Sequence, residues 1–246
     1  MTAIGTLDGK TAIITGASSG VGRATVRRFA EDGANVVLAA RREDRLSEIA
    51  DSIEDDYGTT AVAVPTDVTD EDQVATLVDA TVERFGSLDV VVSNAGVARG
   101  SDVESMSTEA YRTMMDVNCD GMFFVARESL PHLRDSQGTL VMVGSFAGQY
   151  PRPFNPVYAA TKWWTRGLAL SIAASVSDDV AVSVVNPSEI RTEFGSSYGE
   201  AFEERFEPGE VTEPEEVAEA IAFAAEQEGS FTPEIDVYRR DKLSFF

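Results

Sequence analysis

Cysteine and histidine are almost missing from this chain of 246 residues, which holds one of each, Cys119 and His132. One thiol cannot close an intramolecular disulfide, so the framework of small secreted domains is excluded, and Cys119 reads as a small buried hydrophobe. A lone imidazole beside Pro131 has no ligand partners, and no Cys/His/Asp cluster has metal spacing, so no metal site is expected. Lysine is nearly as scarce, with Lys10, Lys162 and Lys242 alone. Apolar runs stay short of the roughly 20 residues that cross a bilayer, and no basic start precedes an apolar leader. The expected location is the cytoplasm. Positive charge as a whole is outnumbered, 20 basic residues against 42 acidic ones, for a net charge of −22. Such a surface repels phosphate backbones and anionic lipid, which argues against nucleic acid and membrane as partners.

What the chain does have is an apolar, β-branched run, Thr11-Ala12-Ile13-Ile14-Thr15, followed by a turn holding Gly16, Gly20 and Gly22. Val21, Ala24, Val26, Phe29 and Ala30 then recur at helical spacing. Strand, glycine turn and helix in that order let backbone approach a ligand closely and turn helix N–H groups toward a diphosphate. The rhythm continues. Strands are expected at 35–39, 60–64, 88–93, 139–143, 180–185 and 234–238, and helices at 42–57, 70–85, 108–116, 118–134, 158–175 and 213–226. Pro131 should bend or break its helix, and Pro65 should end its strand. Short buried strands alternating with helices specify an α/β fold: a single-domain, doubly wound parallel sheet, Rossmann-like, of about seven strands with helices on both faces. With no internal repeat or linker, residues 1–246 form one domain. Residues 193–212 are the only long irregular stretch, either a substrate loop beyond a strand end or a disordered connection. Residues 239–246 form a tail whose aromatics suggest packing against another subunit.

Two short patterns carry chemistry. Tyr158 and Lys162 stand four apart on one helix and therefore share a face. A free tyrosine titrates near pH 10, and an ammonium one turn away favours its phenolate, bringing the hydroxyl toward the range for proton exchange with an alcohol or carbonyl. Choosing one of only three lysines for this position suggests a specific need. At the end of the second strand, Arg41 and Arg42 follow Ala39-Ala40 where a dinucleotide site that prefers NAD usually carries an acid. Two guanidiniums at a helix N-terminus oppose its dipole unless an anion joins them; the alternative is a solvated basic doublet offset by Glu43 and Asp44.

Thr15-Gly16-Ala17-Ser18-Ser19-Gly20-Val21-Gly22, with Tyr158-x3-Lys162 and Ser145 thirteen residues before the tyrosine, resembles the classical short-chain dehydrogenase/reductase family. The resemblance runs from Thr15 to about Thr192. It implies NADP(H) as cofactor, with NAD(H) less favoured, because Ala40 stands where NAD-using relatives keep an aspartate and Arg41 where NADP-using ones place a base. It further implies that Asp67 and Val68 contact the adenine, that Ser93-Asn94-Ala95-Gly96 is the family's Asn-Asn-Ala-Gly motif with Ser93 replacing the first Asn, and that Pro187, Ile190 and Thr192 reach the carboxamide. By the same resemblance Tyr158 exchanges the proton, Ser145 orients the substrate oxygen, Lys162 tunes Tyr158 and holds the nicotinamide ribose, and Asn118 positions a relay water. Ser188 stands where the family usually has glycine, for which a shifted backbone is expected.

The implied activity is hydride transfer between NADP(H) and a small-molecule carbonyl or alcohol, of the carbonyl reductase, 3-oxoacyl reductase or hydroxy-acid dehydrogenase type, in a homodimer or homotetramer. A non-catalytic NADP(H)-sensing regulator is the other reading of such a fold. Arg152, between Ser145 and Tyr158, either meets an anionic substrate or covers a loop, and Trp163 and Trp164 are core, pocket wall or subunit interface. Acids spread along the whole chain repel one another least in strong salt, where the Debye length falls to about 3 Å at 1 M. Adaptation to a salty cytoplasm predicts a melting temperature that climbs with KCl; a flat or falling series would mark an ordinary acidic enzyme.

Overall fold

The computed structural model describes residues 7–176, 178–195 and 200–244. Phe245 and Phe246, and residues 196–199 of the expected substrate loop, lie outside the described residues. Seven parallel strands form one sheet in the order β3-β2-β1-β4-β5-β6-β7. They are β1 (Thr11–Thr15), β2 (Asn35–Ala40), β3 (Ala61–Pro65), β4 (Val90–Ser93), β5 (Thr139–Val143), β6 (Ala181–Pro187) and β7 (Glu234–Val237). β1 is buried along its whole length, which explains its unbroken apolar and β-branched run. From β1 the chain winds outward to β2 and β3, then returns to start β4 on the other side. The switch point between β1 and β4 opens the crevice in which sheets of this type take ligands.

The helices are α1 (Gly20–Glu31), α2 (Glu43–Tyr57), α3 (Glu71–Phe85), α4 (Thr108–Met115), α5 (Gly121–Ser136), α6 (Pro156–Val176), α7 (Phe202–Arg205) and α8 (Pro214–Ala225). α1, α2 and α8 cover one face through Phe29, Leu46, Ile53 and Ile221 against Ile14, Val36 and Leu38. α3, α5 and α6 cover the other through Leu77, Met122 and Ala169 against Ile13, Val91 and Leu140. Each apolar stripe read from the sequence thus finds a sheet face. Helix ends follow local chemistry: the Asp70 carboxylate caps α3 by accepting from the Gln73 amide at 3.2 Å, and Gly58 and Gly86 close α2 and α3 in the left-handed region.

Two expectations need correction. Pro131 does not break its helix: α5 runs on to Ser136, with the proline on the exposed side. Asn118 does not open a helix. It lies in a single π turn, Asp116–Asp120, that joins α4 to α5 without interruption and places its side chain fully inside. Pro65 ends β3 as expected, as its last residue, and its missing N–H is tolerated because β3 is an edge strand.

Acid crowding is visible where α1 meets α8. Arg28 is the hub for Asp32, Glu219 and Glu226. Burial, then the neighbouring Asp32 carboxylate, push Glu226 up to about 7. The folded state therefore binds more protons than the unfolded one between the ordinary carboxylate value of 4.5 and about 7, and the charged Glu226 costs stability as pH rises through that window. Glu226→Gln is expected to stabilise the fold by on the order of 1 to 3 kcal/mol at pH 8 and by almost nothing at pH 4.5, measured by denaturant titration.

Candidate active site

The C-terminal ends of β1, β2, β4, β5 and β6 open into one cleft of about 920 Å³. Its first wall is the glycine turn. Gly16 and Gly20 have φ of 67° and 52°, values that L side chains rarely adopt. A Cβ on Gly16 would stand 2.8 Å from Asn94 Nδ2, and one on Gly22 would stand 2.3 Å from the Gly16 carbonyl oxygen. The turn is therefore as tight as glycine allows, and Ser18, Ser19, Gly20 and Val21 at the start of α1 face the cleft. Glycines that cannot take a side chain, at a helix N-terminus in a switch-point crevice, fit a dinucleotide diphosphate.

Thr15 and Gly22 do not line the cleft; they hold it in shape. The Thr15 hydroxyl accepts from the amides of Asn94 and Ala95 at 3.0 and 3.1 Å, and its carbonyl accepts from Asn94 Nδ2 at 2.8 Å. These bonds tie the end of β1 to the end of β4 and present Asn94, Ala95 and Gly96 to the cleft. Asp67 and Val68 line it beyond β3, with Asp67 Oδ1 accepting from the Thr69 amide and hydroxyl. Pro187, Ile190 and Thr192 line the opposite end. Ser188 sits beside β7, its amide donating to the Val237 carbonyl and its hydroxyl accepting from the Arg239 amide.

Arg41 and Arg42 stand at the mouth where β2 ends. Arg42 donates to the hydroxyls of Ser18 at 2.8 Å and Ser19 at 2.9 Å, so it is locked onto the glycine turn. Glu193 pairs with both Arg42 at 3.2 Å and Arg45 at 2.8 Å. No local pattern announces Arg45 or Glu193, since the two lie 148 residues apart in the chain.

Deeper in, Ser145, Tyr158 and Lys162 line the same cleft. The Ser145 hydroxyl accepts from the Ala147 amide at 3.1 Å, which orients it at the end of β5. Lys162 is 4% exposed, and its Nζ lies 6.0 Å from the Tyr158 ring centroid, so the helical spacing does turn the two side chains together. Burial pushes the Lys162 ammonium down to about 8, and it donates to the Val143 carbonyl at 2.8 Å. Asn118 stands behind the cleft. Its amide exchanges hydrogen bonds with the Val97 main chain at 2.8 Å and donates to the Thr161 hydroxyl at 3.1 Å, so this side chain braces the tyrosine helix against the loop after β4.

Within residues 193–212, Glu193, Phe194, Gly195, Phe202, Arg205 and Phe206 line the cleft. Phe194, Phe202 and Phe206 form a chain of ring contacts that reaches the Tyr158 ring at 5.9 Å. The far end of the stretch is fixed by Thr212, which bridges to Ile190. Cys119 is buried and burial raises its thiol to about 11, so it is inert as a nucleophile. His132 lies in α5. Among the described residues no group of three or more His, Cys, Asp or Glu side chains could hold a metal ion.

Residues 10–202 match the model of the short chain dehydrogenase family. A 3-oxoacyl-[acyl-carrier-protein] reductase of Thermotoga maritima is 33% identical over 231 residues, covering 92% of this chain and 94% of the relative. An alcohol dehydrogenase of the archaeon Thermococcus sibiricus, solved with 5-hydroxy-NADP, superposes with a TM-score of 0.86 at 29% identity, covering 93% of this chain and 96% of that one. A 3-ketoacyl-(acyl-carrier-protein) reductase of Brucella melitensis, solved with NADH, gives 0.85 at 28% identity over 95% and 98%. Neighbours thus carry both nicotinamide cofactors. A glycine turn too tight for any side chain, a buried lysine under a tyrosine and a match across most of the length place this chain in the short-chain dehydrogenase family.

Proposed function

We propose that this protein interconverts a small-molecule carbonyl and its alcohol with NADP(H). The observation that carries the reading is the Tyr158–Lys162 pair: a phenol beside a buried ammonium, facing a cleft whose other wall is the glycine turn. A bound nicotinamide supplies or accepts the hydride. Tyr158 gives its proton to the carbonyl oxygen during reduction and takes it back during oxidation. Ser145 donates to the same oxygen and orients it. Lys162, an ammonium below about pH 8, steadies the phenolate left behind. Asn118 is a positioning residue that keeps Val97 and the Tyr158 helix in register.

The preference for the 2′-phosphorylated cofactor rests on Arg41 and Arg42. No carboxylate ends β2, where Ala39 and Ala40 line the cleft. Glu193 already pairs with Arg42 and Arg45, so this corner attracts anions within the chain itself. Residues 193–212 serve as the substrate loop. Exposed Phe123, Trp163 and Trp164 on α5 and α6 suit assembly of copies, as a homodimer or homotetramer.

NADPH oxidation over a panel of carbonyl compounds in strong KCl tests the reading. Tyr158→Phe is expected to cost roughly 10²- to 10⁴-fold in kcat while NADPH still binds. Arg42→Ala should weaken NADPH far more than NADH. Reduction by the wild type should decline above about pH 8, as Lys162 loses its proton. Tight NADPH binding with no turnover in either wild type or Tyr158→Phe would favour the regulator instead.

A further inference from the structure

Lys242 is a buried cation that the proposed chemistry does not use. It belongs to the C-terminal tail yet is 7% exposed, and it lines the cleft together with Arg152, Glu189 and Arg239. Its Nζ lies 4.4 Å from the Phe146 ring centroid and donates to Glu189 Oε1. The Arg152 guanidinium lies 5.9 Å from the same ring. Phe146 directly follows Ser145, so both cations gather one residue from the hydroxyl that orients the substrate.

The charges around this end do not cancel. Arg239 pairs with Asp241 at 3.0 Å, and Asp241 is largely exposed. Among the described residues, Glu189 is then the one acid that answers both Lys242 and Arg152 here. Burial alone would raise its carboxyl, but Lys242 and Arg152 outweigh burial and hold it below the ordinary value. Arg152 reaches Glu189 only at 3.8 Å, a charge contact too long for a hydrogen bond. Among the described residues its guanidinium makes no side-chain hydrogen bond, which leaves its planar fork for a ligand. A chain of net charge −22 with three lysines puts two of them, Lys162 and Lys242, in this one cleft. A neutral ketone would need neither Lys242 nor Arg152.

We propose that the substrate is a short oxo or hydroxy acid, its carboxylate held by Arg152 and Lys242 while its reacting carbon faces Ser145 and Tyr158. This rests on the carbonyl-reducing reading of the cleft and narrows it. Arg152 supplies a two-pronged grip, Lys242 a fixed point charge, and Glu189 keeps that charge in place before the substrate arrives. The carboxylate takes no part in bond making. Its binding energy fixes the distance and orientation of the carbonyl, which is how a remote anchor raises the rate of the reacting centre. The positive end of the cleft also draws an anion through the field of an acidic protein.

The test compares acetoacetate with its neutral methyl ester as substrates for NADPH oxidation, in wild type, Arg152→Ala and Lys242→Met. Wild type should favour the acid by about tenfold or more in kcat/KM, and each variant should raise KM for the acid by about tenfold while changing the ester by less than about twofold. A merely structural tail contact would depress both substrates together, and that result, or an ester reduced as well as the acid, would overturn the proposal. Arg152 is on a partly exposed loop, so its variant folds even if Lys242→Met loosens the tail. If wild type reduces no carbonyl compound, the fault lies with the proposed activity. The anion site is then judged by melting: at constant ionic strength, acetoacetate should raise the melting temperature of wild type but not of Arg152→Ala, and equal shifts or none would refute it.

Discussion

A desolvated ammonium is among the costliest groups a fold can carry, and this fold carries one at its centre. Lys162 is buried beneath the end of β5, its charge answered by the Val143 carbonyl and the face of Tyr158. Burial at that depth penalises the charged form by several kcal/mol in ordinary cases, and a single carbonyl recovers only part of it. The rest is met by rigidity elsewhere: a sheet buried on both faces, two continuous cores and a helix that cannot turn its lysine outward without exposing its apolar side. Stability is given up where burial shifts the lysine's proton.

Around that group the cleft divides its labour by charge. One end, formed by the glycine turn and Arg42, suits a diphosphate; the other, formed by Phe146, Arg152 and Lys242, is positive for a different reason. Between them lie the hydroxyls of Ser145 and Tyr158. In both ends an acid from a distant segment already holds the cations, Glu193 at one and Glu189 at the other. In so acidic a protein, arginines and lysines without a ligand are kept in position by the chain's own carboxylates. A ligand therefore joins or replaces an existing partner, with the side chains already arranged.

Much of this was legible beforehand. β1 and β5 span the residues their apolar runs indicated, and the remaining strands differ by two residues or fewer at each end. The glycines and the Tyr158–Lys162 spacing could be read because each pattern is local: a turn, a helix period, a strand end. Asn118 was found but misplaced, since nothing in Asp116-Val117-Asn118-Cys119 distinguishes a π turn from a new helix start. The role of Thr15 in clamping β1 to β4 was not legible, because a hydroxyl at a strand end looks the same whichever way it faces. Lys242 carried the same signal of scarcity as Lys162, but without a neighbouring pattern it gave no hint of where the tail folds.

The order of the residues by itself determined the doubly wound sheet, the glycine turn and the helical face shared by Tyr158 and Lys162, since each follows from steric and periodic rules acting over a few neighbours. Only the tertiary structure decided the charge inside the cleft. Arg42 meets Glu193 across 151 residues and Lys242 meets Glu189 across 53, and such pairs depend on how a loop and a tail return to the sheet. Electrostatic attraction falls with distance in space and is indifferent to distance along the chain, so no local pattern announces it.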